Sequence, residues 1–306
     1  MHKYLWMVLL LLVGCKHLQP PQQRLDYAAS IEPANAAFTS VNIAGPLNVK
    51  LHTSAQQSFI KFSGAPGDLS DVKWNIHQGI LTVQRSTKSS HPAAVTVDID
   101  SHYLNAFSYH GNGQITGNKL RTYDLILDID NNGSSQLDGQ IGVKDLHVTG
   151  TGQTHIRGMS SQHLKIKLEG NARLDIQGKL ALADVRMQGN SRLSLYWVDS
   201  RVLIVRAKDA AKLQLAGVVD WMDVHLHNSA SFNGRYLRAT RAFIKTFDVA
   251  RADVNITTRQ HTLASGNSNI YVFEQPTMKT DLMAFNGSVL DLRGWSRWIY
   301  KEPVAN

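Results

Sequence analysis

Asp145, Asp184 and Asp223 recur at one fixed interval along the chain. Carboxylates fixed on a rigid scaffold can act as general acid and base toward a polysaccharide, so this column is the first candidate for chemistry. In a stack of strands, counterparts two layers apart stand about 9.6 Å from one another, too far to share a proton or a metal directly. His163 is the residue expected between the first two. The plainer reading makes each aspartate a turn residue ahead of a strand. Asp124, Asp128 and Asp130, with Asn131 and Asn132, form the densest oxygen-rich patch. Oxygen donors suit calcium, and alternation puts Asp128 and Asp130 on one outward face. The Gly-Gly-x-Gly-x-Asp repeat of calcium-binding β-rolls is missing, so no metal is assigned. His225 and His227 share an outward face too, but two imidazoles alone make a weak transition-metal site. Trp197 and Tyr236 are separated by the same interval as the aspartates, Tyr196 adjoins Trp197, and Trp221 continues a column begun by Val143 and Leu182. Exposed aromatic rings stack on sugars, so Tyr196, Trp197, Trp221 and Tyr236 are the candidate residues for binding a glycan or a partner. Filling corners of the fold is their competing role. The chain has no Gly-x-Ser-x-Gly motif and no phosphate-cradling loop, and no catalytic residue or cofactor is assigned.

These side chains recur because the chain itself does. Inward apolar residues open short β units at Phe107, Leu125, Leu146, Leu164, Val185, Leu203, Val224, Ala242, Thr262 and Leu282. The first seven intervals alternate between 18 and 21, and the last two are both 20. Self-similarity at a short period is the signature of a solenoid. In one unit, Leu164, Ile166 and Leu168 alternate with Lys165 and Lys167, the period of a half-buried strand. Gly170-Asn171 turns the chain, and Ala172, Leu174 and Ile176 then alternate with Arg173, Asp175 and Gln177. Gly178 ends that strand, and a third places Leu180 and Leu182 inward. The two interval lengths make a double repeat that aligns Gly139, Gly178 and Gly217. The turn comes two residues later in the long units than in the short ones, a shift that keeps the in/out parity of the strands.

The predicted fold is all-β: a right-handed parallel β-helix, or β-solenoid, over residues 38–294. Its repeat array, 106–294, is expected to stack Leu125, Leu146, Leu164, Val185 and Leu203 as one interior ladder, ten coils making a rod of roughly 48 Å. An antiparallel sandwich would leave the double repeat without a cause. Residues 38–105 are strand-rich but off its beat. Strands are expected at Val41–Ile43, Leu47–Leu51, Ser58–Phe62, Val72–Ile76, Ile80–Gln84 and Ala94–Asp100, supplying first coils and an N-terminal cap. Residues 295–306, with Trp295, Trp298 and Tyr300, are read as a C-terminal cap and tail.

The chain has 306 residues, 43% of them hydrophobic and 18% charged, and a formal net charge of +8. Its apolar run from Leu5 to Val13 is too short to span a bilayer and reads as the core of a signal peptide. Leu12-Val13-Gly14-Cys15 resembles a bacterial lipobox. That resemblance implies a signal peptide over 1–14, cleavage before Cys15, and acyl chains on its sulfur and its amino group, anchoring the protein to a membrane. Lys16, where an aspartate would retain a lipoprotein in the inner membrane, implies sorting to the outer membrane, on its periplasmic face or at the cell surface, if the cell is Gram-negative. Residues 15–37, with Pro20-Pro21 and Gln22-Gln23, read as a lipidated tether. A single cysteine allows no disulfide within the chain. Residues 161–260 hold 16 Lys and Arg against 9 Asp and Glu. A basic face of that kind suits lipopolysaccharide phosphates, acidic glycans or anionic head groups, and nucleic acid is not expected as a partner of an exported chain. A solvated outer face is the competing reading.

Phe38-x-x-Val41-x-Ile43-x-Gly45-Pro46-Leu47-x-Val49-x-Leu51 is similar to the opening of the bacterial head GIN domain family, described as putative auto-transporter adhesins. Val72 to Ile76 with Gly79 to Val83, and Val95 to Val97 with Phe107 to Gly113, resemble its second and third blocks. Ser101-His102-Tyr103 departs from the proline the family usually places before the leucine near Leu104. The resemblance spans most of residues 38–294. It implies an envelope or surface protein with a β-helical domain, and brings neither a ligand nor catalytic residues. The expectation is therefore a non-enzymatic cell-envelope lipoprotein whose adhesin-like or scaffolding solenoid binds a surface glycan, lipopolysaccharide or protein. The alternative is a polysaccharide lyase or hydrolase on the same fold.

Overall fold

The structure is a computed structural model that describes residues 37–53, 58–86, 94–273, 281–284 and 289–292. The lipobox with Cys15 and the aromatic tail from Trp295 to Tyr300 lie outside the described residues. Among the described residues, no helix is long and apolar enough to cross a membrane.

The chain is a β-solenoid of about eight turns. Six short strands come first: β1 (Ser40–Ala44), β2 (Leu47–His52), β3 (Phe59–Ser63), β4 (Val72–His77), β5 (Ile80–Arg85) and β6 (Val95–Asp100), with a one-turn helix α1 (Pro66–Leu69) after β3. After β7 (Ala106–Gly111) the strands lengthen: β8 (Ile115–Asn131), β9 (Ser134–Thr149), β10 (Gln153–Leu168), β11 (Arg173–Met187), β12 (Arg192–Ala207), β13 (Lys212–Leu226), β14 (Ser231–Thr246) and β15 (Arg251–Ala264). Three short strands follow: β16 (Asn269–Val272), β17 (Asp281–Ala284) and β18 (Val289–Leu292). Each long strand bends around the section, and each pairs in parallel with the next. In the unit read from sequence, Leu164, Ile166, Leu168, Ala172, Leu174, Ile176, Leu180 and Leu182 are all buried. Alternation therefore assigned parity correctly, and the apolar residues of successive coils enclose one continuous core.

The stacking register differs from the expected ladder. The observed column runs Phe107, Leu127, Leu146, Ile166, Val185, Val205, Val224, Ile244, Thr262 and Leu282. Leu125, Leu164 and Leu203 are buried one position further round the section, paired with Val143, Leu182 and Met222. Each belongs to the approach to the strand and comes two places too early. The uneven alternation read from sequence is therefore, over most of the array, a nearly even one, in which a slightly longer coil follows a slightly shorter one.

A corner accounts for that alternation. In the shorter coils, Gly139, Gly178 and Gly217 turn it with φ of 153°, 157° and 134°. There the backbone meets the coil before it: a Cβ on Gly178 would stand 1.9 Å from the Met159 carbonyl oxygen. The longer coils place Lys119, Gly158 and Trp197 at this corner in the left-handed region, with φ of 56°, 74° and 66°. From Gly150, with φ of 90°, onward, the opposite corner also takes a left-handed residue in each coil. Gly170 and Gly189 supply it, then Asp209, Asn228 and Asp248, residue types that tolerate this region. The last three tie the coils together. Asp209 accepts from the Gly189 amide at 3.0 Å and from the Asn228 side chain at 2.9 Å, and Asp248 accepts from the Asn228 amide at 2.8 Å. The Gly189 amide holds the Asp209 carboxyl below the usual carboxylate range.

The N-terminal strands close the open end. β1 lies between β5 and β7, and β2 between β6 and β8, all parallel. β4 then pairs antiparallel with β5, and β3 with β6, so the stack does not end on a parallel edge. Leu69, Val72, Trp74 and Ile76 pack against the core here. Arg85 and Asp68 form a buried ion pair at 2.6 Å, and Arg85 also donates to the Pro46 carbonyl at 3.2 Å.

Candidate functional site

The register settles what stands between the aspartates. The row reads Ile126, Asp145, Lys165, Asp184, Ile204, Asp223, Phe243. Lys165, not His163, separates Asp145 from Asp184, because His163 falls within the register shift between Ser161 and Leu164. Asp184 accepts from the Arg186 guanidinium at 3.0 Å. Asp223 lies 3.0 Å from the His225 imidazole and 3.7 Å from Arg206. Asp184 and Asp223 are thus held by cations of the adjacent row. His163 and Asp184 line a broad hollow of about 920 Å³ with Lys165, Asp199 and Asp220.

The oxygen-rich patch is engaged in the same way. His147 bridges Asp128 and Glu169, with both contacts at 3.0 Å. Asp130 pairs with His110 at 2.6 Å. The Asn131 side chain is buried, donating to the Gly113 carbonyl and accepting from the Gly133 amide. Asn132 accepts from Thr151 of the next coil. His225 and His227 both face outward: His225 packs edge-on to Phe243, and His227 stacks on Phe247 at 4.6 Å.

The aromatic candidates do not make one face. Tyr196, Trp197 and Tyr236 cluster at the corner that Gly178 and Gly217 occupy in neighbouring coils; Tyr236 pairs with Ala216, and Trp197 fills the bulge between Leu195 and Val198. All three are exposed, Trp197 by 70%. Trp221 lies elsewhere, paired with Val202 and Arg241 on the third strand of its coil, while Met222 takes the inward place beside it. It therefore leaves the column of Val143 and Leu182, which are buried.

The strongest feature is a row spelled out by the corrected register. One position outward from the aspartates, successive coils present Asp128, His147, Lys167, Arg186, Arg206, His225 and Lys245. Parity alone predicts Arg186, Arg206 and His225 on the outer face, and the structure puts all three in this row. Sequence columns do not bring Lys167 and Lys245 into line with Arg186 and His225, because the starts of their units come two places early. Parallel coils stack about 4.8 Å apart, so adjacent cations repel by roughly 1 kcal/mol even in water. Like charges placed opposite one another destabilise a sheet. Beyond this row lie Glu169, Gln188, Lys208 and His227. Between the two rows runs a groove of about 290 Å³ over four coils, floored by Leu168, Met187 and Ala207. Lys167 binds Glu169 at 2.8 Å, and this hydrogen bond holds the Glu169 carboxyl below its usual range despite partial burial. Burial moves the His225 imidazole the other way from its Asp223 contact and wins, so its pKa is lowered. Across the turn a second basic row, Arg173, Arg192 and Lys212, is exposed. Among the described residues, no group of three or more His, Cys, Asp or Glu has a geometry that could hold a metal ion.

The chain is similar to several solved structures at low sequence identity. A "putative adhesin" from Parabacteroides merdae is 14% identical, covering 86% of this chain and 95% of that one, with a TM-score of 0.43. A "putative lipid binding protein" from Parabacteroides distasonis is 10% identical over 86% and 95%, with a TM-score of 0.42. A "putative adhesin" from the same species is 14% identical over 87% and 98%, with a TM-score of 0.41. No curated protein matches the sequence. The family model described as "putative auto-transporter adhesin, head GIN domain" matches residues 37–179 and again 159–276. With these two matches spanning the N-terminal coils and most of the array, the chain belongs to the head GIN domain family.

Proposed function

We infer that this protein is a non-enzymatic, lipid-anchored envelope protein of adhesin type, whose solenoid presents the cationic row from Lys167 to Lys245 to an anionic surface ligand. The observation that carries this reading is the row itself: cations stacked coil on coil cost stability that a neutral row would not. Asp184, Asp223 and Glu169 offset part of that repulsion from within the fold, and an anionic partner would relieve the rest. The aromatic corner of Tyr196, Trp197 and Tyr236 offers a second, sugar-stacking contact, with Trp221 on a different side. The family's description supports an adhesin-like role in the cell envelope. Acyl chains on Cys15 would hold the domain at the outer membrane, with residues 15–37 as tether. The outward aspartates Asp184 and Asp223 are occupied by basic neighbours, which favours a binding surface over a lyase or hydrolase.

The test uses the full chain with an Arg186→Ala/Arg206→Ala double variant. Wild type should bind lipopolysaccharide and acidic polysaccharide at low salt and leave them uncleaved, and the double variant should lose at least tenfold in affinity. Equal binding by the two proteins, or bond cleavage abolished by Asp184→Ala, overturns the reading. Cys15→Ser should release the protein from the membrane fraction; retention there, with no acyl chain on the wild type by mass spectrometry, removes the anchor.

A further inference from the structure

The groove between the two outward rows is linear, and its charges are regular. Lys167, Arg186, Arg206 and His225 form one wall, one residue per coil, over the four coils that the groove crosses. Lys208 and His227 continue the basic character on the other wall, next to Gln188 and Glu169. The floor is the strand backbone around Leu168, Met187 and Ala207. The step between rungs is the strand spacing, about 4.8 Å. That step is close to the advance per residue of an extended pyranose chain. Cations at this repeat, on a backbone too rigid to rearrange, match a polymer with one anionic group on every sugar. A single lipid head group offers fewer anionic groups than the groove has rungs, so it engages only part of the row.

Resting on the reading of the cationic row as the binding face, we propose that the groove holds a linear polyuronate, laid parallel to the solenoid axis with one carboxylate per coil. Lys167, Arg186 and Arg206 each take one carboxylate. His225 takes a fourth when protonated: burial, and then Arg206 and Lys245 in the adjacent coils, lower its pKa against the pull of Asp223 beside it. Glu169 marks one end of the groove, neutralised by Lys167 and His147; at the middle rungs Arg186 is shared with Asp184, and Arg206, 3.7 Å from Asp223, is the least engaged. The Gln188 amide, one coil on, also reaches Glu169.

Oligogalacturonates of one to eight residues, titrated by calorimetry into the full chain, test the geometry. Affinity should rise about twofold to fivefold per added sugar, the range of one exposed ion pair, up to three or four sugars, and then level off. Methyl-esterified oligomers of the same length should not bind, and lowering the pH from 7.5 to 5.5 should extend the rise by one sugar in wild type but not in His225→Gln. Circular dichroism of Arg186→Ala and Arg206→Ala checks that each variant is folded; each should shorten the rise by one sugar or more. A length-independent affinity, or no binding of any oligomer, overturns the polyuronate assignment. If lipopolysaccharide still binds through Arg186 and Arg206 in that case, the cationic row stands as a binding face for another anion; if neither ligand binds, both readings fall.

Discussion

Replacing Trp197 by glycine separates a binding residue from a packing residue. Its φ is 66°, a region in which a bulky side chain is strained, and the residue is 70% exposed. Left-handed backbone costs an L-residue about 1–2 kcal/mol, and Trp197→Gly relieves that strain. Against it stand the extra chain entropy of glycine, about 0.5–1 kcal/mol, and the lost burial. A fully packed aromatic buries about 150–250 Å², so the covered third of Trp197 is on the order of 60 Å², or about 1.5 kcal/mol at 25 cal/mol per Å². The three terms leave a net change of about 1 kcal/mol or less in either direction. A tryptophan that propped up the corner would instead cost about 3–5 kcal/mol on truncation. Guanidinium unfolding of the full chain reads the difference directly. Near-unchanged stability with reduced glycan affinity supports an aromatic platform; a loss of about 3 kcal/mol or more refutes the argument and makes Trp197 a structural pillar. Gly158, with φ of 74° at the same corner two coils away, shows that the backbone accepts glycine there.

Further measurements check the core, the corner and the titrating groups. Ile166, 2% exposed between Leu146 and Val185, should lose about 3–5 kcal/mol as Ile166→Asp, whereas Lys167→Gln on the outer face, where relief of repulsion by Arg186 offsets loss of the Glu169 contact, should stay within about 1 kcal/mol by the same unfolding curves. Gly178→Ala places a methyl carbon against the Met159 carbonyl and should cost about 3 kcal/mol or more, while Gly170→Ala, with nothing nearer than 3.8 Å, should cost only the roughly 1–2 kcal/mol of its left-handed backbone; equal melting points would dismiss the close approach as the reason for glycine. His225 and Glu169 both have lowered pKa values, so each contributes stability that is complete above its ordinary value and declines as pH falls toward the folded one. Denaturation across pH should therefore show one loss beginning near pH 6.5, removed by His225→Gln, and another beginning near 4.5, removed by Glu169→Gln; a flat profile for wild type contradicts the signs.

Much of the fold was legible because strand parity is a local property. Lys165 and Lys167 between Leu164, Ile166 and Leu168 suffice to say which side faces the core, and each of the six N-terminal strands expected from such runs is present within a residue or two. Stacking register is not local in that sense. It depends on where a corner absorbs an extra residue, and the corner residue can be Gly158 in one coil and Lys119 or Trp197 in another. The opposite corner hides its turns in the same way: Asp209, Asn228 and Asp248 do what Gly170 and Gly189 do, with the side-chain oxygen of each aspartate supplying hydrogen bonds between coils. A pair such as Arg85 and Asp68 is beyond any periodicity, since neither neighbour in sequence signals that both are buried.

This difference between parity and register decides what can be said about function. Outward rows on a solenoid are functional units only if their members lie above one another. With the uneven coils suggested by the first inward apolar residues, Lys167 falls two places from Arg186, and the aspartates look like an isolated carboxylate column. With the nearly even coils set by the corner, Lys167, Arg186, Arg206, His225 and Lys245 become one uninterrupted row, and Lys165 drops between Asp145 and Asp184. The same two-residue shift thus replaces a candidate acid–base pair by an ion-paired face and assembles a groove lined by basic side chains. The glycines that permit the close corner are on this account part of the site's specification: moving one coil around the axis by a single residue would turn its cation inward or out of line, whereas moving it by two would keep the core intact and break only the row.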